Sequence, residues 1–127
     1  MEGMERSELK FPSMREELID YLRGLADKRY QYCAWVEHKC PSGGFDELDY
    51  AIHFLYDDTR LASDPEATVG LILKNIEEVR CIQNLIAELN SIFDKYGLGL
   101  ADGEYIEKSE WQGVIQAAID AKNCFEK

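Results

Sequence analysis

Hydrophobic residues recur at alternating spacings of three and four along much of this chain, which is the spacing of amphipathic helices. The longest such pattern begins after Asn75 and stops at Gly97. Asn75 and Glu78 have the spacing of a capping box, and Gly97 is a typical residue just beyond a helix C-terminus. The pattern predicts a long helix in the core of a bundle, with an apolar stripe of Val79, Ile82, Ile86, Leu89, Phe93 and Tyr96.

Two helices are predicted near the start of the chain. Ser13 and Glu16 form a capping-box pattern, with Ser13 as the N-cap of a helix that runs to about Leu25. Asp27 can cap a second, aromatic-rich helix over residues 28–39. The first helix is expected to bury Met14, Leu18, Tyr21, Leu22 and Leu25, and the second carries the aromatic residues Tyr30, Tyr32 and Trp35.

A central helix is predicted over residues 45–59, where the most acidic segment begins. Asp46 is the expected N-cap, with Phe45 and Tyr50 on either side of it as a hydrophobic staple. The residues at helical spacing that we expect to face the core are Phe45, Leu48, Ala51, Ile52 and Leu55.

The segment after the central helix permits two interpretations. Asp64, Pro65 and Glu66 form a strong helix-start pattern, which favours a short helix to about Leu73. Residues 67–73 are also compatible with a buried strand, because Val and Ile favour sheets and Gly weakens a helix. Helix is preferred, since no partner strand is evident elsewhere in the sequence.

The C-terminal helix is predicted to follow another capping box, Ser109 with Gln112, after a loop at 97–103 and a short turn. Its apolar residues are Trp111, Val114, Ile115, Ala118, Ile119 and Phe125. Together these patterns predict an all-α protein, a single-domain bundle of six to seven helices with short connections. The helical domain is expected to span residues 13–127, after a flexible arm at residues 1–12.

Charge is the feature that sets this chain of 127 residues apart, because its formal net charge is −11. Residues 45–66 contain seven acidic residues and one basic residue, so the negative charge is concentrated. Such a field repels nucleic acids and anionic membranes and attracts basic partners. We therefore expect no direct nucleic-acid binding and no membrane partner.

The sequence also indicates a compartment. Residues 1–12 lack the apolar stretch of a signal peptide, and no run approaches the roughly 18 apolar residues of a membrane span. The chain is expected to be cytoplasmic, where its four cysteines would stay reduced.

One stripe of the central helix combines carboxylates with an imidazole. Asp46, Asp49, His53 and Asp57 follow one another at helical spacing on one side of the predicted helix. The stripe is compatible with general acid/base catalysis, a metal site, a docking surface for a basic partner, or a solvated helix face. A catalytic function needs a nucleophile, a pocket or a second histidine nearby, and the sequence shows none of them clearly.

The sequence contains no Walker lysine loop and none of the patterns GxGxxG, GxSxG, HExxH and CxxC. Cys33, His38 and Cys40 superficially resemble half of a zinc site, but their spacing is not that of structural zinc knuckles. Asp57 and Asp58 are adjacent carboxylates of the kind that hold Mg²⁺, yet no phosphate-binding loop accompanies them. We therefore predict no catalytic residues, no metal and no cofactor.

Four stretches of the chain are distinctive in their order and spacing: SMREELIDYLRGLADKRYQ, FDELDYAIHFLYDDT, LASDPEATVGLIL and SEWQGVIQAAIDA. Together they resemble a family of short bacterial proteins of unassigned function that is widespread in actinomycetes. The resemblance covers about residues 11 to 121 and implies a shared fold.

In its size, acidity and helical pattern the chain also resembles, more loosely, the immunity proteins of contact-dependent growth inhibition and other polymorphic toxin systems. This resemblance implies binding to a basic nuclease toxin, of RNase type, and occlusion of its active site. An inhibitor of a phosphate-binding site is expected to present carboxylates together with aromatic anchors.

The resulting hypothesis is an acidic immunity protein that is not an enzyme. Two alternatives stay open: a cytosolic helical interaction or regulatory module with an unknown partner, and an enzyme that uses His53 and its flanking aspartates. The residues expected to contact the partner are Asp46, Asp49, Tyr50, His53, Asp57, Asp58, Asp64 and Glu66, with Tyr56 either a further anchor or part of the core.

Overall fold

The fold was analysed in a computed structural model, which describes residues 9–40 and 43–126. Six α-helices occupy these residues, and the only bridge among them is an isolated pair between Val69 and Leu73, so the predicted all-α class is confirmed. The helices are α1 (Pro12–Leu25), α2 (Lys28–Gln31, continued by a π-helical turn, Tyr32–Val36), α3 (Leu48–His53, continued by a π-helical turn, Phe54–Asp58), α4 (Ile76–Tyr96), α5 (Asp102–Ile106) and α6 (Trp111–Phe125).

The core lies where α4 and α1 pack along α6. The apolar stripes predicted for these helices are the faces that they bury. Val79, Ile82 and Leu89 of α4 are inaccessible or nearly so, and Phe93 and Tyr96 pack against the core while remaining half-buried. The fully buried apolar side chains contributed by α1 and α6 include Leu18, Leu22, Leu25, Trp111, Val114 and Ala118.

The predicted N-caps Asp27 and Asn75 are confirmed, whereas Ser13 and Ser109 are not N-caps. Asp27 caps α2 by accepting a hydrogen bond from the Tyr30 N–H (3.1 Å), and Asn75 caps α4 through the Glu78 N–H (3.0 Å). Ser13 is not an N-cap, because Pro12 fits the first turn and α1 begins there. Ser109 does not cap α6 either: its hydroxyl donates to the Glu110 carboxylate at 3.3 Å.

The aromatic-rich helix and the loop before α6 also differ from expectation. α2 and its π-helical turn end at Val36 rather than near residue 39, because Lys39 folds back and donates its N–H to the Cys33 carbonyl (2.8 Å). The turn expected before Ser109 is a short helix, α5, in which Glu104 accepts a hydrogen bond from the Ala101 N–H at 2.9 Å.

Neither an α-helix nor a strand occupies residues 67–73 in the structure. A single 3₁₀ turn, Pro65–Thr68, follows the helix-start signal, and the preferred prediction of a helix to Leu73 is therefore wrong. The helical path ends at Val69, whose backbone is extended, and Gly70 follows with a φ of 89°, a left-handed conformation that glycine adopts readily. The Thr68 carbonyl then accepts the N–H groups of residues 71, 72 and 73, which turns the chain so that Ile72 and Leu73 are buried.

The predicted N-terminal arm is described only in its last residues, because residues 1–8 lie outside the described part of the chain. Lys10 donates its N–H to the Gly70 carbonyl (3.0 Å), and Phe11 donates to the Leu71 carbonyl (2.9 Å). These two bonds attach the approach to α1 to the turn that follows the 3₁₀ segment.

A buried ion pair connects α1 with α4. Arg15 donates through two nitrogens to the two carboxylate oxygens of Glu78, at 2.9 and 2.8 Å, and also donates to the Ile72 carbonyl at 3.0 Å. Glu78 in turn accepts the Lys74 N–H at 2.7 Å. The Arg15 guanidinium lies 4.7 Å from the ring centre of Phe125, so three parts of the chain meet at this pair.

A second polar contact inside the core connects α2 with α6. The Trp111 indole N–H donates to the Gln31 side-chain oxygen at 2.8 Å, and both side chains are fully buried. The Gln31 amide donates to the carbonyls of Gly24 and Leu25 at the end of α1, at 2.9 and 3.0 Å. Gln31 therefore satisfies the last carbonyls of one helix and the buried indole of another.

Glu110 connects the end of α4 with the start of α6. It accepts hydrogen bonds from the Lys95 ammonium (2.5 Å) and the Tyr96 hydroxyl (2.9 Å). The bond from Lys95 is the main reason why the pKa of Glu110 is lowered to about 2. Because the folded-state pKa lies below its ordinary value, the stabilisation is present above about pH 4.5 and disappears as the pH falls towards 2.

We expect Glu110→Gln to lower the thermal unfolding midpoint at neutral pH, and we expect the deficit to shrink as the pH falls from about 4.5 to about 2. Thermal melts followed by circular dichroism across this range measure both effects. Glu107→Gln, an exposed neighbour with the same charge change, serves as the control. A Glu110→Gln deficit of the same size at both ends of the range would contradict the assignment.

Candidate functional site

The central helix α3 is capped by a distant residue. It begins at Leu48, three residues after the start of the predicted range, and the Asp102 carboxylate accepts the Leu48 N–H at 3.0 Å. At its other end the Thr59 hydroxyl donates to the Phe54 carbonyl at 2.8 Å, which closes the wider last turn. The helix and this turn bury Leu48, Ala51, Phe54 and Leu55.

Phe45 is not in the core and Asp46 is not the N-cap, although Phe45 does contact Tyr50 as the predicted staple requires. Phe45 was expected in the core but is 56% exposed, because it precedes the helix; its ring contacts Tyr50 (6.1 Å between centres) and stacks on His38 (5.2 Å). Asp46 is not an N-cap. Its carboxylate accepts the Tyr30 hydroxyl at 2.6 Å and the Trp35 indole N–H at 3.1 Å, so it binds α3 to α2 and points away from the expected stripe.

The other three members of the stripe do lie together on the exposed side of α3. His53 Nδ1 is 2.7 Å from Asp57 Oδ2, and His53 Nε2 is 3.6 Å from Asp49 Oδ2. All three side chains are about 60% exposed. The result is an imidazole held between two carboxylates at the surface.

The remaining predicted contact residues are Tyr50, Asp58, Asp64 and Glu66, and all four are at least partly exposed. Tyr50 is exposed and its ring contacts that of Phe45. Asp58 and Glu66 are exposed, and Asp64 lies 3.4 Å from Arg60 in an ion pair one helical turn away. None of these four residues lines the groove that opens beside the stripe.

A groove of about 700 Å³ opens beside the stripe, between α3 and the second half of α4. We call it the acidic groove. Its apolar lining consists of Leu48, Ile52, Tyr56, Phe93, Leu98, Leu100 and Tyr105. Its polar lining consists of Glu47, Asp49, His53, Asp57, Asn90, Asp94 and Asp102, so five carboxylates and no lysine or arginine line it among the described residues.

Tyr56 connects the two walls of the acidic groove. Its hydroxyl donates to the Asn90 side-chain oxygen of α4 at 2.6 Å. Burial raises the pKa of Tyr56 to about 12, and the nearby Asp94 carboxylate adds to the shift, so the phenol is uncharged at neutral pH. Burial also raises the pKa of Asp102, against the opposing effect of its hydrogen bond from Leu48.

Sequence reasoning missed the α4 side of the groove. Asn90 and Asp94 are one helical turn apart and lie beside Phe93, which belongs to the predicted apolar stripe. The polar residues that border this stripe could therefore have been predicted as one wall of a site. Asp102 gave no such signal, because only tertiary folding places its carboxylate over the first turn of α3.

The described residues contain no group of three or more His, Cys, Asp or Glu side chains arranged to hold a metal ion. In the stretch that resembled half of a zinc site, the Cys33 thiol donates to the Lys39 carbonyl at 3.0 Å, and His38 stacks on Phe45. Within the described ranges the cysteines form no disulfide, and burial raises the pKa of Cys81 to about 11. No helix in these ranges has the length and apolarity needed to cross a bilayer.

The chain belongs to the family described as Domain of unknown function (DUF7945), whose model matches residues 9–127. The predicted membership of a family without an assigned function is thereby confirmed. Searches of curated proteins and of solved structures found no match.

Proposed function

We propose that this protein is a cytoplasmic immunity protein that binds a basic nuclease toxin, of RNase type, and covers the toxin's active site. The observation that carries the proposal is the acidic groove, which five carboxylates line together with seven apolar or aromatic side chains; among the described residues no lysine or arginine lines it. A surface of this kind suits a partner whose binding surface is positively charged, as a phosphate-binding active site is.

The groove also has the composition of a binding interface. Interfaces that bind proteins combine an apolar centre with a polar edge, and aromatic side chains are enriched at the centre. Phe93 and Tyr56 supply aromatic surface, while Leu98 at the edge of the groove is 76% exposed. The overall charge of −11 adds long-range attraction, which speeds the capture of a basic protein.

The experiment uses the product of the gene adjacent to the one that encodes this chain. We expect that product to be toxic when expressed alone and harmless when this chain is expressed with it. We also expect calorimetry to show an affinity that falls at least about tenfold as the salt concentration is raised about tenfold, because steered charge pairs are screened. Unrelieved toxicity, or an affinity that ignores salt, would count against the proposal.

One observation favours a second candidate, an enzyme. His53 and Asp57 are 2.7 Å apart at the edge of a groove, which is the geometry of a histidine oriented by a carboxylate. His53→Ala separates the two candidates. Full protection against the adjacent gene's product by this variant would exclude a catalytic role for His53, whereas loss of protection with unchanged binding would favour one.

A further inference from the structure

We infer that the acidic groove receives an arginine side chain of the partner, with the alkyl stem on the apolar floor and the guanidinium between Asp57 and Asp94. This inference rests on the proposed function and deepens it, because it states which side chain anchors the partner. The occupant is argued from the two kinds of surface that line the groove.

The floor fits the stem of a long basic side chain. Ile52 and the ring of Tyr56 come from α3, and the ring of Phe93 comes from α4. Phe93 is fixed by edge-to-face packing on Tyr105, with ring centres 5.6 Å apart, and Tyr56 is fixed by its hydrogen bond to Asn90. Two aromatic rings that are already immobilised offer surface to methylene groups, and to a guanidinium plane, at little further entropic cost.

The carboxylates fit the charged end of that side chain. Asp57 extends from α3 and Asp94 from α4, so acids from both walls face the groove. Asp94 has no ion-pair partner among the described residues, while Asp57 contacts only the imidazole of His53 among its potential cations there. A guanidinium brings a full positive charge and five donors to these acceptors.

Arginine suits this lining better than lysine. The guanidinium is planar and weakly hydrated, so it stacks on aromatic rings and donates to two acceptors at once. An ammonium is compact and strongly hydrated, and it loses more hydration on entering an apolar groove. The groove is therefore expected to discriminate between two side chains of equal charge.

The test uses capped peptides as probes, titrated into the isotope-labelled full chain and followed by NMR. The first peptide is Ac-Gly-Arg-Gly-Arg-Gly-NH₂, and the others replace both arginines by lysine or by uncharged citrulline. We expect the arginine peptide to shift the amide signals of Ile52, Asp57 and Asp94, the lysine peptide to bind at least about threefold more weakly, and the citrulline peptide to leave these signals unchanged.

Matched variants locate the interaction. Asp57→Asn and Asp94→Asn each remove one carboxylate of the groove, whereas Asp58→Asn removes the adjacent carboxylate, which does not line it. We expect the two groove variants to weaken binding of the arginine peptide about tenfold and Asp58→Asn to weaken it less than about twofold. Equal losses in all three variants, or equal binding of the lysine peptide, would overturn the inference in favour of a diffuse charge effect.

The inference and the proposed function fail separately. If the adjacent gene's product binds Asp94→Asn as tightly as it binds the unaltered chain, the arginine site is wrong and the immunity function stands. If the arginine peptide occupies the groove but the neighbouring product is neither bound nor neutralised, the site stands and the immunity function is wrong.

Discussion

Replacing Glu78 with alanine is expected to lower the free energy of unfolding by about 3–5 kcal/mol. Glu78 is 3% exposed and is the only carboxylate that contacts Arg15 in the described part of the chain. Its removal leaves the charge of Arg15, a residue that is 8% exposed, without a counter-charge, and it also removes the acceptor of the Lys74 N–H. A buried charge without a partner accounts for most of the expected loss.

Glu77→Ala is the matched control, because Glu77 precedes Glu78 in the first turn of α4, is exposed and carries the same charge. Its removal should cost at most about 1 kcal/mol, the usual contribution of an acid near a helix N-terminus. Chemical denaturation followed by circular dichroism compares the two variants. If the free energies of unfolding of Glu78→Ala and Glu77→Ala differ by less than about 1 kcal/mol, the buried ion pair contributes less to stability than its burial indicates.

The elements predicted correctly are those that a single helix determines by itself. The stripe of α4 follows from the helical repeat, since residues three and four apart must share a face. Asn75 and Gly97 mark the ends of that helix through bonds made within one turn: the Asn75 side chain accepts from Glu78, and the Gly97 N–H donates to the Phe93 carbonyl. Features that depend on contacts within one helix can therefore be predicted from the sequence of that helix.

The helix starts that were predicted wrongly depend on contacts with distant residues or on a competing local signal. A capping pattern identifies an N-cap only if the helix boundary falls on that residue. Pro12 moved the boundary before Ser13, and the Asp102 carboxylate satisfies the first turn of α3 in place of Asp46. No pattern within residues 45–59 contains the information that a residue 54 positions later would cap the helix.

Only the α3 side of the candidate site could be predicted from the sequence. Asp49, His53 and Asp57 share a helix face, and the sequence indicated that directly. The groove also needs Asn90 and Asp94 from another helix, and two amphipathic stripes do not determine how far apart their edges lie when the helices pack. A concave site between elements is therefore visible only once the packing is known, although each wall had been predicted as a helix.

The second large loss of stability is expected for variants of Asp46. In the structure this residue holds the fold together through its hydrogen bonds and is not part of the exposed stripe. We expect Asp46→Ala to lower the free energy of unfolding by about 2–3 kcal/mol, since the Tyr30 hydroxyl and the Trp35 indole N–H both lose their acceptor. Trp35 is 4% exposed and packs edge-on against Trp111 at 6.3 Å, so water does not readily replace the lost bond. Asp49→Ala, an exposed acid three residues later, should change stability by at most about 0.5 kcal/mol.

Asp46→Asn distinguishes the hydrogen bonds from the charge. Both donors use the same carboxylate oxygen, and the asparagine side-chain oxygen can take its place, so this variant should recover more than half of the stability lost in Asp46→Ala. If the framework role is correct, folded Asp46→Asn binds the basic partner almost as tightly as the unaltered chain, whereas Asp57→Asn keeps its stability and binds more weakly. The opposite result, with Asp46→Asn stable but defective in binding, would return Asp46 to the docking surface on which the sequence had placed it.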